Sequence, residues 1–320
     1  AVPAQPRGLL VAAQRLSADR LTALHWAVAC VQPVLQPCTG ARLLLKGAAY
    51  VAQGLPIAHG RLPSDLDLMV PQADIAAAQQ ALRQAGWQEA PLDEHDRRYY
   101  HEWSHEVPPM THPLHRLELD LHHNILPPVA RTRVPAAALL AHRVPVDGDG
   151  WQGWQVLAPV DQVLHCASHL FLDSEARARV RDLVDLDGLL RHFAAQPSFW
   201  PDLLQRADEL GLHEPLALAI HFCAHWLQTP VPGDALERVS RLGPGGLTRA
   251  LIRRLWQASL LPAEPDGAVP LAQDLSASLL LARYHRNRMP LRLLLPHVLH
   301  KWRKPQQPRA TFGGTPTDGP

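Results

Sequence analysis

Two aspartates, Asp65 and Asp67, stand one residue apart in the stretch GRLPSDLDLMV, each followed by a leucine. Side chains alternate along a strand, so both carboxylates share one face, about 7 Å apart at Cα, while Leu66 and Leu68 turn to the other. The stretch LELDLHH repeats the device, with Glu118, Asp120 and His122 on one face and Leu117, Leu119 and Leu121 opposite. Hard carboxylate oxygens suit Mg²⁺, and two such ions roughly 3.5–4 Å apart clamp the attacking and leaving oxygens of a phosphoryl displacement. Two aspartates are too few ligands, so a third acid from the second strand, Asp120 or Glu118, is required. It could also accept the proton of an incoming hydroxyl. Other acid-x-acid triplets, such as Asp147/Asp149 and Glu264/Asp266, lie in Gly- or Pro-rich turns where solvated acids suffice. Asp65 itself, following Ser64, also fits a turn or cap.

A triphosphate needs donors. ARLLLKG reads as a short buried strand ending in Lys46 and Gly47, and AAYVAQG as a brief helix stopped by Gly54. A glycine where strand passes into helix lets the backbone approach an anion. Lys46 would add a point charge, and Arg61, in the loop before Asp65, a fork of donors. Both side chains also read as ordinary surface charges.

These residues need a frame. Residues 8–31 are spaced as a helix or helical pair, and the segment after DLDLMV is an Ala-rich helix with Pro71 near its start and Gly86 at its end. WQEAP, RRYYHEW and HRLELDLHHNI read as further strands. Beyond about residue 135 the pattern becomes helical throughout, and the segment 306–320 reads as a disordered tail. The fold class is α+β, and no internal repeat is evident.

The order of motifs resembles the uncharacterised nucleotidyltransferase family of the DNA polymerase β-like superfamily. The match runs through LLLKGAAYVAQG, GRLPSDLDLMV, ADIAAAQQALRQAGW, LELDLHHNI, and the helical PVDQVLHCASHLF with RVRDLVDLDGLL. The resemblance implies that Asp65 and Asp67 bind Mg²⁺, that Asp120 is the third acid, and that Lys46, Gly47 and Ser64 border the nucleotide. It further implies a mixed β-sheet flanked by helices, with an all-helical C-terminal region closing the cleft. Residues 1–135 would form the nucleotidyltransferase-like domain and 136–305 the helical one. Ala48 stands where the superfamily usually has Ser or Gly, which removes a hydroxyl for phosphate.

Other constellations compete. His165 and His169 lie four apart with Asp161 another turn back, a spacing that invites zinc, yet no H-E-x-x-H occurs and Cys166 falls on a different helix face. A polar seam of His169, Arg181 and Asp185 beside the cleft is the favoured reading. His122 could tune Asp120, and His123 should face the opposite side. Tyr99, Tyr100 and Trp103 could stack a base or simply pack. The basic end, YHRNRMPLRLLLPHVLHKWRKP, admits an RNA patch but reads better as a solvated amphipathic helix.

Composition bounds the rest. The 320 residues carry 31 Lys and Arg against 30 Asp and Glu, a formal charge of +1, so no whole-chain field favours nucleic acid or an anionic membrane. Four cysteines without a C-x-x-C pair fit a reducing compartment, so a cytoplasmic location is expected. No apolar run reaches the roughly 20 residues of a membrane span. The leading reading is a transferase that moves an NMP from an NTP, ATP above all, to a hydroxyl of a protein, metabolite, sugar or RNA, using two Mg²⁺ and releasing pyrophosphate. The alternatives are a degenerate relative that binds nucleotide or a protein partner without turnover, and a metal hydrolase on His165, His169 and Asp161.

Overall fold

Alternating Asp and Leu at positions 65–68 produce the central strand, with its leucines wholly buried. The computed structural model describes residues 4–38, 40–115, 117–241, 245–262 and 269–303. Its first part runs α1 (Ala4–Val34), β1 (Leu43–Leu44), α2 (Lys46–Ala52), β2 (Asp65–Met69), α3 (Ile75–Gln84), β3 (Gln88–Glu89) and α4 (Glu94–Arg98). After a π-helical turn, Tyr99–Trp103, come β4 (Met110–Thr111), β5 (Glu118–His122), α5 (Ala136–Ala141), β6 (Val144–Pro145) and β7 (Gln155–Val156).

These strands form one seven-stranded mixed sheet in the order β3-β4-β5-β2-β1-β7-β6. β2 and β5 run parallel with Asp65 beside Glu118 and Asp67 beside Asp120. Paired residues of adjacent strands point to the same side, so this register alone carries the acids of both strands onto one face. β1 pairs antiparallel with β2, matching Leu44 to Leu68, and brings the start of α2 beside them.

The remainder is helical: α6 (Pro159–Leu172), α7 (Val180–Phe193), α8 (Phe199–Leu210), α9 (His213–Trp226), α10 (Gly233–Arg241), α11 (Gly246–Leu260), α12 (Leu271–Arg288) and α13 (Leu291–Arg303). The α+β expectation of a mixed sheet flanked by helices and followed by helices holds. α6 begins with proline at its first turn and carries Asp161 there, and α8 ends on Gly211 at φ +66°, a left-handed position that glycine takes without Cβ strain. Gly188 lets α7 approach the turn at residues 56–58, because a Cβ there would collide with Ile57 Cγ2.

Residues 8–31 lie within a single helix, α1, one of the two forms their spacing allowed, and it carries Pro33 near its end. Two expectations need correction. RRYYHEW is helical, not extended: Asp93 caps α4 by accepting from the Asp96 N–H at 2.7 Å, and acids lead while bases trail along it. Capping and dipole complementarity there outweigh the strand preference of Tyr and Trp. Helix is also not continuous beyond residue 135, since β7 joins the sheet parallel to β1 and β6 pairs with β7. The tail expected at 306–320 lies outside the described residues.

Candidate active site

The parallel register gives the site its first property. Asp65, Asp67 and Asp120 each offer a carboxylate oxygen within 4.8 Å of the others, and Asp67 is almost fully buried. Glu118 is exposed and stands outside this group, so the structure brings Asp120 to the pair and not its strand neighbour.

Burial and charge crowding together set the electrostatics. Burial and the adjacent Asp67 charge push the Asp120 carboxyl up to about 8, and burial with Asp67 also raises Asp65. Asp67 moves the other way: although burial opposes ionisation, the Lys46 ammonium and the His122 hydrogen bond hold it well below the usual carboxylate range. Lys46 Nζ donates to Asp67 Oδ1 at 2.7 Å, and His122 Nε2 lies 3.1 Å from the same oxygen. Lys46 adopts φ +43°, a left-handed conformation for a residue with a Cβ, which costs about 1–3 kcal/mol. The strain is retained where the side chain meets the buried acid.

The neighbouring cleft holds about 280 Å³. β2 and the residues before it contribute Arg61, Ser64, Asp65 and Asp67; α6 and α7 with their connection contribute His169, Arg179, Arg181 and Asp185. Ser64 Oγ donates to Asp65 Oδ1 at 3.1 Å. Arg61 forms a buried pair with Asp185 and lies over the Tyr50 ring, 5.2 Å from its centroid. The space above Gly47 is filled by this arginine: a Cβ there would come within 3.0 Å of Arg61 Nε. Lys46, Gly47, Ser64 and Arg61 therefore all gather near the acids, with Lys46 and Arg61 engaged by carboxylates.

The seam of His169, Arg181 and Asp185 does line the cleft, and so does Cys166, which the sequence placed on a separate face. His165 is buried beneath, its imidazole held down to about 3 by burial and the Lys46 charge. Asp161 points elsewhere, into a two-pronged pair with Arg206 at 2.8 and 3.1 Å. Among the described residues, no group of potential metal ligands contains His165, His169 and Asp161. Tyr99, Tyr100 and Trp103 do cluster edge to face, but on the π-helical turn, and Tyr99 Oη accepts from Arg288 Nε at 2.9 Å.

Sequence reasoning passed over Arg179, whose signal was the run Arg177-x-Arg179-x-Arg181; its Nε meets Asp182 Oδ2 at 2.6 Å at the cleft. It also passed over Glu106 and Asp173, which approach the site only through tertiary packing.

The sequence profile described as "uncharacterised nucleotidyltransferase" matches residues 1–228. The chain belongs to that family. Among solved structures it is similar to JHP933 from Helicobacter pylori, at 12% identity and a TM-score of 0.34, over 90% of this chain and 98% of that one. No curated protein matches. For this nucleotidyltransferase, the four cysteines are free, and among the described residues no helix is long and apolar enough to cross a membrane.

Proposed function

We propose that the protein transfers an NMP from an NTP to an acceptor hydroxyl and releases pyrophosphate, with Asp65, Asp67 and Asp120 holding two Mg²⁺. The observation that carries this reading is the convergence of three carboxylates within 4.8 Å of one another on two parallel strands. Burial, and after it their mutual repulsion, raises the proton affinity of Asp120 and Asp65; a dication would relieve both, and an all-oxygen donor set is what Mg²⁺ prefers. Bound there, Mg²⁺ would neutralise the charge that accumulates on the transferring phosphoryl group.

The acceptor oxygen forms a bond to the α-phosphorus as the bond from that phosphorus to the bridging oxygen breaks, and the β- and γ-phosphates leave together as pyrophosphate. Asp120, the third acid, paired with Asp67 across the two parallel strands, would take the hydroxyl proton. Lys46 balances Asp67 and would turn toward a phosphate once a cation takes over that charge. Arg179 and Arg181, on the opposite wall, supply positive charge for the triphosphate. ATP is the proposed donor, and a cytoplasmic setting fits the four unbridged thiols.

The test uses α-labelled NTPs, Mg²⁺ and a cell lysate as the source of acceptor. Label should appear on an acceptor with matching pyrophosphate release, and Asp67→Ala should lower the rate by about 10²-fold or more. Equal rates for the two proteins would refute the assignment.

A further inference from the structure

Behind Asp67 the structure gathers a second set of potential ligands. His105 and Glu106 follow the π-helical turn, His122 ends β5, and Asp173 follows α6. His105, Glu106 and His122 each present a ligand atom within 4.8 Å of the others. The side chains are 5%, 24% and 3% exposed, and that of Asp173 is 6% exposed.

Their separations are those of shared coordination, not of hydrogen bonds. His122 Nδ1 lies 3.5 Å from Glu106 Oε2, and His105 Nε2 lies 3.5 Å from Asp173 Oδ2 and 4.0 Å from Glu106 Oε2. Good hydrogen bonds between such groups run about 2.7–3.2 Å. Ligands of a tetrahedral ion held at about 2.0–2.1 Å sit about 3.3 Å apart.

An independent observation points the same way. His122 Nδ1 is buried with no hydrogen-bond partner, although the ring's Nε2 is engaged by Asp67 at 3.1 Å. In the neutral ring, a carboxylate that receives one ring N–H leaves the other nitrogen as a lone pair, the arrangement that orients a histidine toward a metal. Here the lone pair faces Glu106 and His105. Arg288 pairs with Asp173 and would fix that carboxylate from the outer side. Glu106 also lines a hollow of about 650 Å³.

We propose that His105, Glu106 and His122, with Asp173 at their edge, form a site for a borderline transition-metal dication of the Zn²⁺ class, separate from the all-carboxylate site. The two imidazoles distinguish it chemically, because Mg²⁺ favours oxygen and Zn²⁺ accepts nitrogen. Its residues come from both the sheet and the helical region, so an occupied site would tie α6 and α12 to β5. The inference does not depend on nucleotide transfer.

The experiment titrates Zn²⁺ and, separately, Co²⁺ into metal-free full-length protein, measuring bound metal and the visible absorption of Co²⁺. With Mg²⁺ in excess to occupy the three carboxylates, wild type and Asp65→Asn should each take up one equivalent with a visible band typical of tetrahedral nitrogen and oxygen ligation. His105→Gln should lose the band, and Glu106→Gln should weaken binding by about tenfold or more. Circular dichroism checks the fold of His105→Gln; if that variant is unfolded, Glu106→Gln decides. Absence of uptake by wild type would overturn the proposal and assign His122 as an imidazolium against Glu106. Uptake unchanged in both site variants, or abolished by Asp65→Asn, would overturn it by placing the metal elsewhere.

Discussion

Lys46 places its ammonium 2.7 Å from Asp67 Oδ1, so the chain sets a cation of its own on the most deeply buried of the three acids. The pair is 20% and 3% exposed, and removing one partner strands a buried charge, at a cost of about 3–5 kcal/mol. Lys46→Met should therefore lower the melting temperature without Mg²⁺, and saturating Mg²⁺ should return part of the loss by taking over the charge of Asp67. A loss that Mg²⁺ leaves untouched would separate Lys46 from the metal site.

The second prediction concerns pH. The Asp120 carboxyl stands at about 8 against an ordinary 3.8, raised by burial and by Asp67. Below pH 3.8 the folded and unfolded chains both hold this proton and its contribution is fully present. As pH rises toward 8 the unfolded chain has released the proton and the folded chain has not, so stability falls through that window. Thermal melting of the protein without added metal, followed across the window from 3.8 to about 8, should slope downward. Asp120→Asn should flatten the slope, and so should Mg²⁺ in the wild type, since the cation replaces the proton.

Arg61 joins the loop before β2 to Asp185 on α7 and fills the space above Gly47. Arg61→Ala should cost about 3–5 kcal/mol, because Asp185 is left buried and unpaired. If Arg61 also contacts phosphate, the KM for NTP rises in Arg61→Lys, which keeps the charge and loses the fork. Urea unfolding reads the first effect and initial-rate kinetics the second.

The chemistry was more legible than the architecture. Asp65, Asp67 and Asp120 declare themselves because strand alternation is local, and the parallel pairing of β2 with β5 then completes their meeting. The sequence could not choose between Glu118 and Asp120, since both lie on one face and only the packing above the sheet half-buries one and exposes the other. Tyr99–Trp103 misled because aromatic residues favour strands, while the signal that won was the Asp93 cap six residues earlier. β6 and β7 are two residues each, too short to show a period, and they form only because β1 offers an edge. Asp161 shows the limit of spacing: its helical register with His165 and His169 is real, but Arg206, far along the chain, claims it.

The central claim is that Asp65, Asp67 and Asp120 bind the divalent cations that drive transfer. Mn²⁺ as a paramagnetic stand-in, counted by electron paramagnetic resonance with a non-hydrolysable NTP analogue present, tests it most directly. Wild type should hold two ions per chain, and Asp67→Ala and Asp120→Asn should each hold fewer than two. An identical count in all three proteins would contradict the account.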